Sequence, residues 1–390
     1  MLSFSRAYQN LPLPEHPRSW AEIDLCALRQ NYRALRGVLQ AGCAPVAVVK
    51  ADAYGHGAAT CASALLREGC RRFAVSCIEE GISLRKALGQ NARILILGYT
   101  DPALAPTLAA FDLAQALCSP THAAALCRAA GATGVCVRVH YALDTGMNRL
   151  GFPAQTETEI AQTAKEILQF SQNKRLISEG LFTHFACADK PENTQNDLQA
   201  ERFACVRARL LHAGLRLFCH TCNSAGALTR PNDHWNGARF GIALWGVSPI
   251  PHFDLSLQPV MRLCTRVVHL HRVKPGERIG YGGAFCAARE SLIATLPIGY
   301  ADGWLRACEG TTVTLQTAGG AHRVPLVGRV CMDQCMADVT DTGACVGDHV
   351  ILFGEVPSRL SELANRAGTI PYELLCLISS RVPRVYIENE

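Results

Sequence analysis

The chain has 390 residues, of which 49% are hydrophobic and 18% charged. That length exceeds one ordinary domain, and the composition excludes a disordered chain. The formal net charge of +5 is carried without any block of like charge, which argues against nucleic acid as a partner.

The start, Met1 to Trp20, is broken by Arg6, Pro12, Pro14, Glu15 and Pro17 and lacks an apolar signal core. Residues 1–18 therefore read as an extension. The chain carries 19 cysteines, many in apolar stretches such as Cys61, Cys118, Cys127 and Cys136. With no secretory segment, they read as reduced thiols in the cytoplasm. No apolar run reaches the length of a membrane span, so no membrane partner is expected.

A helical period over Leu28–Leu39 precedes a series of short β-rich runs. These are Pro45–Lys50, Phe73–Ser76, Arg93–Gly98, Leu113–Leu117, Val135–Tyr141, Gly180–Phe185, Leu215–His220 and Ala238–Leu244. Several are near-continuous Val, Ile, Leu or Ala, as in strands buried on both faces. Helical segments lie between them, at Ala58–Glu68, Glu79–Leu88, Pro120–Ala130, Glu157–Phe170 and Leu198–Ala213. The alternation predicts an α/β fold, a (β/α)8 TIM-type barrel over residues 19–250. Gly55 and Gly57 lack the third glycine of a dinucleotide fingerprint. After Pro249 the rhythm changes to strands at short intervals: Val260–Val273, Ser291–Pro297, Thr311–Gln316, Val324–Val330 and His349–Phe353. Residues 251–390 read as a mainly β C-terminal domain, with weak helical signal at Leu360–Ala367 and Tyr372–Ser379.

Catalytic groups of such barrels sit at the C-terminal ends of the strands. Lys50 closes the first strand and opens a Gly-rich loop. Alone, a strand-end lysine is more often a surface residue. At a barrel mouth, a desolvated lysine suits Schiff-base chemistry, because desolvation favours the free amine. Ser224, Gly241 and Ile242 follow strands seven and eight, where barrels often bind phosphate. Lysine and phosphate site in one mouth suggest pyridoxal 5'-phosphate. Cys219 and Cys222, with His220 between them, lack a second ligand pair, and no metal is assigned.

The motifs resemble those of alanine racemases nearly end to end. Val49-Lys50-Ala51-Asp52-Ala53-Tyr54-Gly55-His56-Gly57 is similar to the family's cofactor-lysine motif. The resemblance implies that Lys50 forms the Schiff base and Tyr54 contacts phosphate. Asp144-Thr145-Gly146-Met147-Asn148-Arg149 resembles the motif whose arginine reaches the substrate carboxylate. His184 corresponds to a histidine beside the cofactor, and Asn223 and Ser224 to the phosphate grip, near His220. In Arg239-Phe240-Gly241-Ile242, the arginine would face the pyridine nitrogen. Tyr281 resembles the second catalytic base, Gly299–Gly303 with Tyr300 the entry channel, and Met332 a substrate-pocket residue from the partner subunit. Tyr372 would lie at the pocket mouth and help hold the cofactor. Outside this context, Tyr281 reads as an ordinary strand tyrosine, and Met332 and Trp245 as packing.

The family often has a lysine, carbamylated in many members, two residues before the motif aspartate; here that position is Ala142. A buried guanidinium needs a counter-charge, so Arg149 is expected to be held by another anion, such as chloride or a carboxylate, or by water. The resemblance implies a two-base racemisation, Lys50 on one face and Tyr281 of the partner on the other, in a homodimer. A tyrosine is a poor base at its ordinary pKa of about 10, and His184 and Arg149 are the candidate cationic neighbours. The implied product is D-alanine for cell-wall peptidoglycan. The alternative is a serine or broad-spectrum racemase on the same scaffold; Tyr372 with Met332 favours the smaller substrate. Arg239 argues against a decarboxylase, and the β domain argues against a non-catalytic cofactor carrier.

Overall fold

The computed structural model describes residues 17–250 and 255–388. The extension assigned to residues 1–18 thus lies almost wholly outside the described residues. Eight parallel strands form the barrel: Ala44–Val48, Arg72–Val75, Arg93–Ile96, Leu113–Leu117, Val137–Asp144, Leu176–Phe182, Phe218–His220 and Gly237–Phe240. The last strand pairs with the first, from Gly237 opposite Ala44 to Phe240 opposite Ala47. Between the seventh and eighth strands no ladder runs. Two backbone bonds bridge the gap, from Asn236 N–H to the Cys219 carbonyl (3.0 Å) and from Arg239 N–H to the Cys222 carbonyl (2.9 Å).

Each of the first seven strands leads into a helix, the longest being Pro120–Thr133, Glu157–Ser171 and Gln195–His212. Local chemistry starts them. Ser119 accepts from the His122 N–H, and Thr156 and Glu159 form a reciprocal capping box. Gly134 ends the first of these helices in a left-handed cap. The strands bury Val46, Val48, Phe73, Ile94, Ile96, Leu117 and Val139 in one continuous core.

The second domain is built on a nine-stranded sheet. Its strands include Met261–Arg266, His269–Val273, Ser291–Leu296, Thr312–Thr317, Gly320–Val327, Cys335–Asp338 and His349–Phe353. The run Val260–Val273, expected as one strand, is two: Met261–Arg266 pairs with His349–Phe353, and His269–Val273 with Ser291–Leu296. Ser19–Asp24, inside the stretch assigned to the barrel, belongs to this second sheet instead. It pairs antiparallel with Met261–Arg266 and parallel with Arg384–Ile387. The barrel is therefore threaded between two strands of the other domain's sheet.

Candidate active site

Lys50 follows the first barrel strand and enters a left-handed turn. Ala51, Asp52, Ala53 and Tyr54 all have φ between 51° and 57°. Left-handed backbone costs roughly 1–2 kcal/mol per L-residue, so this turn must be held from outside. The Glu80 carboxylate accepts from the N–H groups of Ala51 (2.7 Å) and Ser76 (2.8 Å). Asp52 accepts from Ala58 N–H at 2.7 Å, and Arg384 donates to the Gly55 carbonyl at 2.8 Å. His56 stacks on the buried Trp245, ring centroids 4.5 Å apart. Gly57, at φ +92°, has no room for a Cβ because the Tyr386 hydroxyl occupies that place. Lys50 is partly buried, and burial lowers its ammonium pKa. Arg149 acts in the same sense and Glu80 opposes.

Tyr54 is buried against Trp245 and Tyr372, with ring centroids 5.9 and 6.2 Å away. Its hydroxyl lies where a Cβ on Gly241 would be. Ser224 Oγ accepts from the Gly241 N–H at 2.9 Å, and Asn223 caps the short helix Ser224–Thr229 by accepting from Gly226 N–H at 2.9 Å. Tyr54, Asn223, Ser224, Gly241 and Ile242 thus converge as a group of hydroxyls and backbone N–H donors around a glycine. Such a set suits a phosphate.

Arg239 is buried and surrounded by acceptors rather than carboxylates. It donates to the carbonyls of His220 (2.6 Å), Thr183 (2.8 Å) and Thr221 (2.9 Å). It also donates to Nδ1 of His220 at 2.8 Å and to Nδ1 of His184 at 3.3 Å. Burial lowers its pKa to about 10, with Cys222 opposing and Arg149 adding, so it remains a cation at neutral pH. The chain of bonds assigns the tautomers. His220 accepts at Nδ1, carries its proton on Nε2, and donates that to His140 Nδ1 at 2.9 Å. Engaged in this way, His220 is a member of the arginine network.

His184 differs from its expected role as a cation beside Tyr281. Burial first, then Arg239, Arg149 and Lys50, push its pKa down to about 3. It is neutral at pH 7, which leaves Arg149 as the cation of that pair. Arg149 is presented by a turn that Asp144 organises, accepting from the N–H groups of Gly146 (3.1 Å), Met147 (3.0 Å) and Asn148 (2.9 Å). Ala142 is buried with Ala116 and Phe182, against Leu97 and Leu150. Apolar packing fills the place of the family's lysine. Arg149 itself is exposed, and no described carboxylate pairs with it. No described carboxylate of this chain therefore supplies the anion expected beside Arg149.

Tyr281 and Met332 stand apart from the barrel mouth. Tyr281 is 69% exposed on a tight turn between Arg278–Ile279 and Phe285–Cys286, so it is not an ordinary strand tyrosine. Met332 is 54% exposed, so it fills no core. Among the described contacts, no hydrogen bond, ion pair or ring contact joins either one to Lys50. Tyr300 N–H donates to the Cys331 carbonyl (3.1 Å) and Ala301 N–H to that of Met332 (3.0 Å), which sets these residues in one corner. Tyr372, on the helix Pro371–Leu377, does reach the mouth through Tyr54; its burial pushes the phenol up to about 12.

The motifs did not single out Glu80 or His140. Glu80 shares a helix pattern with ordinary surface acids, and His140 lies in an apolar strand. Its alternation with Tyr141 was the one available signal, since it aims His140 at the barrel axis.

The family model "Alanine racemase, N-terminal domain" matches residues 23–249, and "Alanine racemase, C-terminal domain" matches residues 260–386. The chain belongs to the alanine racemase family. It is 39% identical to alanine racemase 1 of Clostridium acetobutylicum, over 95% of each chain. The solved alanine racemase of Clostridium difficile 630 superposes with a TM-score of 0.89 at 36% identity, covering 96% of this chain and 97% of that one. An alanine racemase of Bartonella henselae, solved with covalently bound pyridoxal phosphate, gives 0.83 at 30% identity, over 95% and 99%. The reaction is the interconversion of L- and D-alanine by a pyridoxal-phosphate-dependent racemase. Among the described residues, no helix is long and apolar enough to cross a membrane.

Proposed function

We propose that this racemase holds pyridoxal 5'-phosphate in the barrel mouth, covalently through Lys50 Nζ, and completes its site with Tyr281 and Met332 of the partner subunit. One observation carries the reading: the Tyr54 hydroxyl occupies the space a Cβ on Gly241 would need, and Ser224 Oγ accepts from the N–H of the same glycine. Tyr54, Asn223, Ser224, Gly241 and Ile242 would grip the phosphate. Tyr372 would close the mouth beside Tyr54. Arg239 would face the pyridine nitrogen as a permanent donor, with His184 as its neutral neighbour.

When bound, the cofactor supplies the electron sink for the carbanion left as the α-proton departs. The protein supplies proton transfer and position. Lys50, its ammonium form disfavoured by burial, takes or returns the α-proton on one face as a free amine. Tyr281 of the partner subunit serves the opposite face, and Met332 of the partner subunit limits the side chain admitted. Arg149 binds the substrate carboxylate through its guanidinium fork. The large exposure of Tyr281 and Met332 in the single chain is consistent with residues that a second subunit covers. In the cell, the product would supply D-alanine for peptidoglycan, in the cytoplasm.

Borohydride reduction of the holoenzyme followed by peptide mapping tests the cofactor assignment. The label is expected on the peptide containing Lys50; a label on another lysine refutes it. A chiral assay run separately on L-alanine and L-serine tests the pocket, and turnover of serine alone would overturn the assignment of Met332 and Tyr372.

A further inference from the structure

The floor of the barrel, opposite the mouth, carries a second polar constellation. Arg71, Arg72, Arg93 and Arg138 line a concave recess of about 410 Å³, together with Asp112. Three of these arginines have partners. Arg71 donates to the carbonyls of Leu66 (2.7 Å) and Cys70 (3.3 Å). Arg93 pairs with Glu179 at 3.1 Å, and Arg138 with Glu179 at 2.5 Å and Asp112 at 2.7 Å.

Arg72 differs. Its guanidinium carbon lies 4.0 Å over the Phe218 ring, and no described residue accepts a hydrogen bond from it. Burial lowers its pKa, Arg93 adds to that, and Glu179 opposes. The aromatic face offsets part of the desolvation of this cation, while its N–H donors find no acceptor among the described residues. The four arginines face two carboxylates, so the recess keeps an excess of positive charge. A planar guanidinium with free donors is suited to bidentate capture of an oxyanion.

We propose that this recess binds a small multivalent oxyanion, phosphate- or carboxylate-bearing, with Arg72 as its principal ligand and Arg93 and Arg138 beside it. The position gives such a ligand a route inward. Arg72 also borders the narrow gap beneath it, which His140 and His220 line. His220 bonds His140 on one side and Arg239 on the other. An anion on Arg72 would offset a charge that both histidines feel. The floor site is thereby two side chains away from the arginine at the cofactor's end of the barrel.

Calorimetric titration of the holoenzyme, with the mouth occupied by cofactor, tests this. The probes are inorganic pyrophosphate and, separately, citrate, in a low-chloride buffer. Saturable binding of one equivalent per chain is expected for at least one probe. Pyrophosphate alone would assign a phosphate-bearing ligand, citrate alone a carboxylate-bearing one, and both the general oxyanion class. Arg72→Gln is expected to weaken binding about tenfold or more, the scale of a charge-assisted pair. Glu179→Gln removes a competing carboxylate and is expected to tighten it. Should Arg72→Gln not fold, the exposed Arg93→Gln is expected to weaken binding several-fold. No saturable heat with either probe up to about 1 mM, or equal affinity in the wild type and the arginine variants, would overturn the proposal.

Discussion

Gly241→Ala tests the phosphate cradle at its tightest point. A Cβ there would overlap the Tyr54 hydroxyl and lie 3.3 Å from its Cζ. Tyr54 has little room to retreat, since its ring is buried against Trp245 and Tyr372. Overpacking of this kind costs about 1–3 kcal/mol, equivalent to roughly 5–150-fold in an equilibrium constant. The cost is expected in two readouts, a lower melting temperature of the apoprotein and weaker cofactor binding on reconstitution. Tyr54→Phe removes the overlapping oxygen. The double variant is therefore expected to recover most of the lost stability. It is not expected to recover affinity, because the hydroxyl that would meet the phosphate is gone. The reasoning fails if Gly241→Ala melts and binds like the wild type, or if the double variant is no more stable than Gly241→Ala.

Acid should weaken the fold through its buried histidines. Burial, first among the causes, holds His56, His140 and His184 down to about 3. An unfolded histidine titrates near 6.5. Below that value the unfolded chain binds protons that the folded chain refuses, so stability is present above about pH 6.5 and lost as the pH falls toward 3. Each such group costs about 2 kcal/mol between roughly pH 7 and 5. Denaturant melts at both pH values should show His56→Gln losing less than the wild type, and parallel losses would contradict this. Glu80→Ala should release the Lys50 turn by removing its bonds to Ala51 and Ser76, lowering the unfolding free energy from denaturant melts by about 1–3 kcal/mol. Cofactor content after dialysis should drop as well, and a fully loaded variant of normal stability would refute the role. Mixed Lys50→Ala and Tyr281→Phe proteins, allowed to exchange subunits, should regain activity at about a quarter of the sites. No regain after proven exchange would argue against a shared site.

Much of the barrel was readable because its strands are buried on both faces and most are followed by a helix of clear period. The eight β-rich runs lie within a few residues of the observed strands. The second domain was less legible. Met261–Arg266 and His269–Val273 form one unbroken β-rich run, and nothing local marks where the chain changes partners. Ser19–Asp24 was missed as a strand because the nearby prolines marked a loose terminus. Its pairing partners also lie hundreds of residues away. At the site, the position of Lys50 and of the proposed phosphate cradle follows from strand ends and turns. The low pKa of His184 does not, since it arises first from its burial in the folded barrel and then from three cations that distant segments bring beside it. The exposure of Arg149 likewise depends on how the chain around Ala142 packs.

The parallel pairing of Ser19–Asp24 with Arg384–Ile387 also orders events in time. During synthesis the first of these strands leaves the ribosome long before the second. It must wait unpaired along that edge while the whole barrel is made. The barrel can close early, from contacts local to each strand–helix unit, but the second sheet cannot be completed until Arg384–Ile387 emerges. Those residues also carry Arg384 and Tyr386, which hold Gly55 and crowd Gly57 in the Lys50 turn. Lys50 would thus take its final geometry only after Arg384 and Tyr386 have been made and the Arg384–Ile387 strand has paired, which makes that strand a checkpoint on completion of the Lys50 turn.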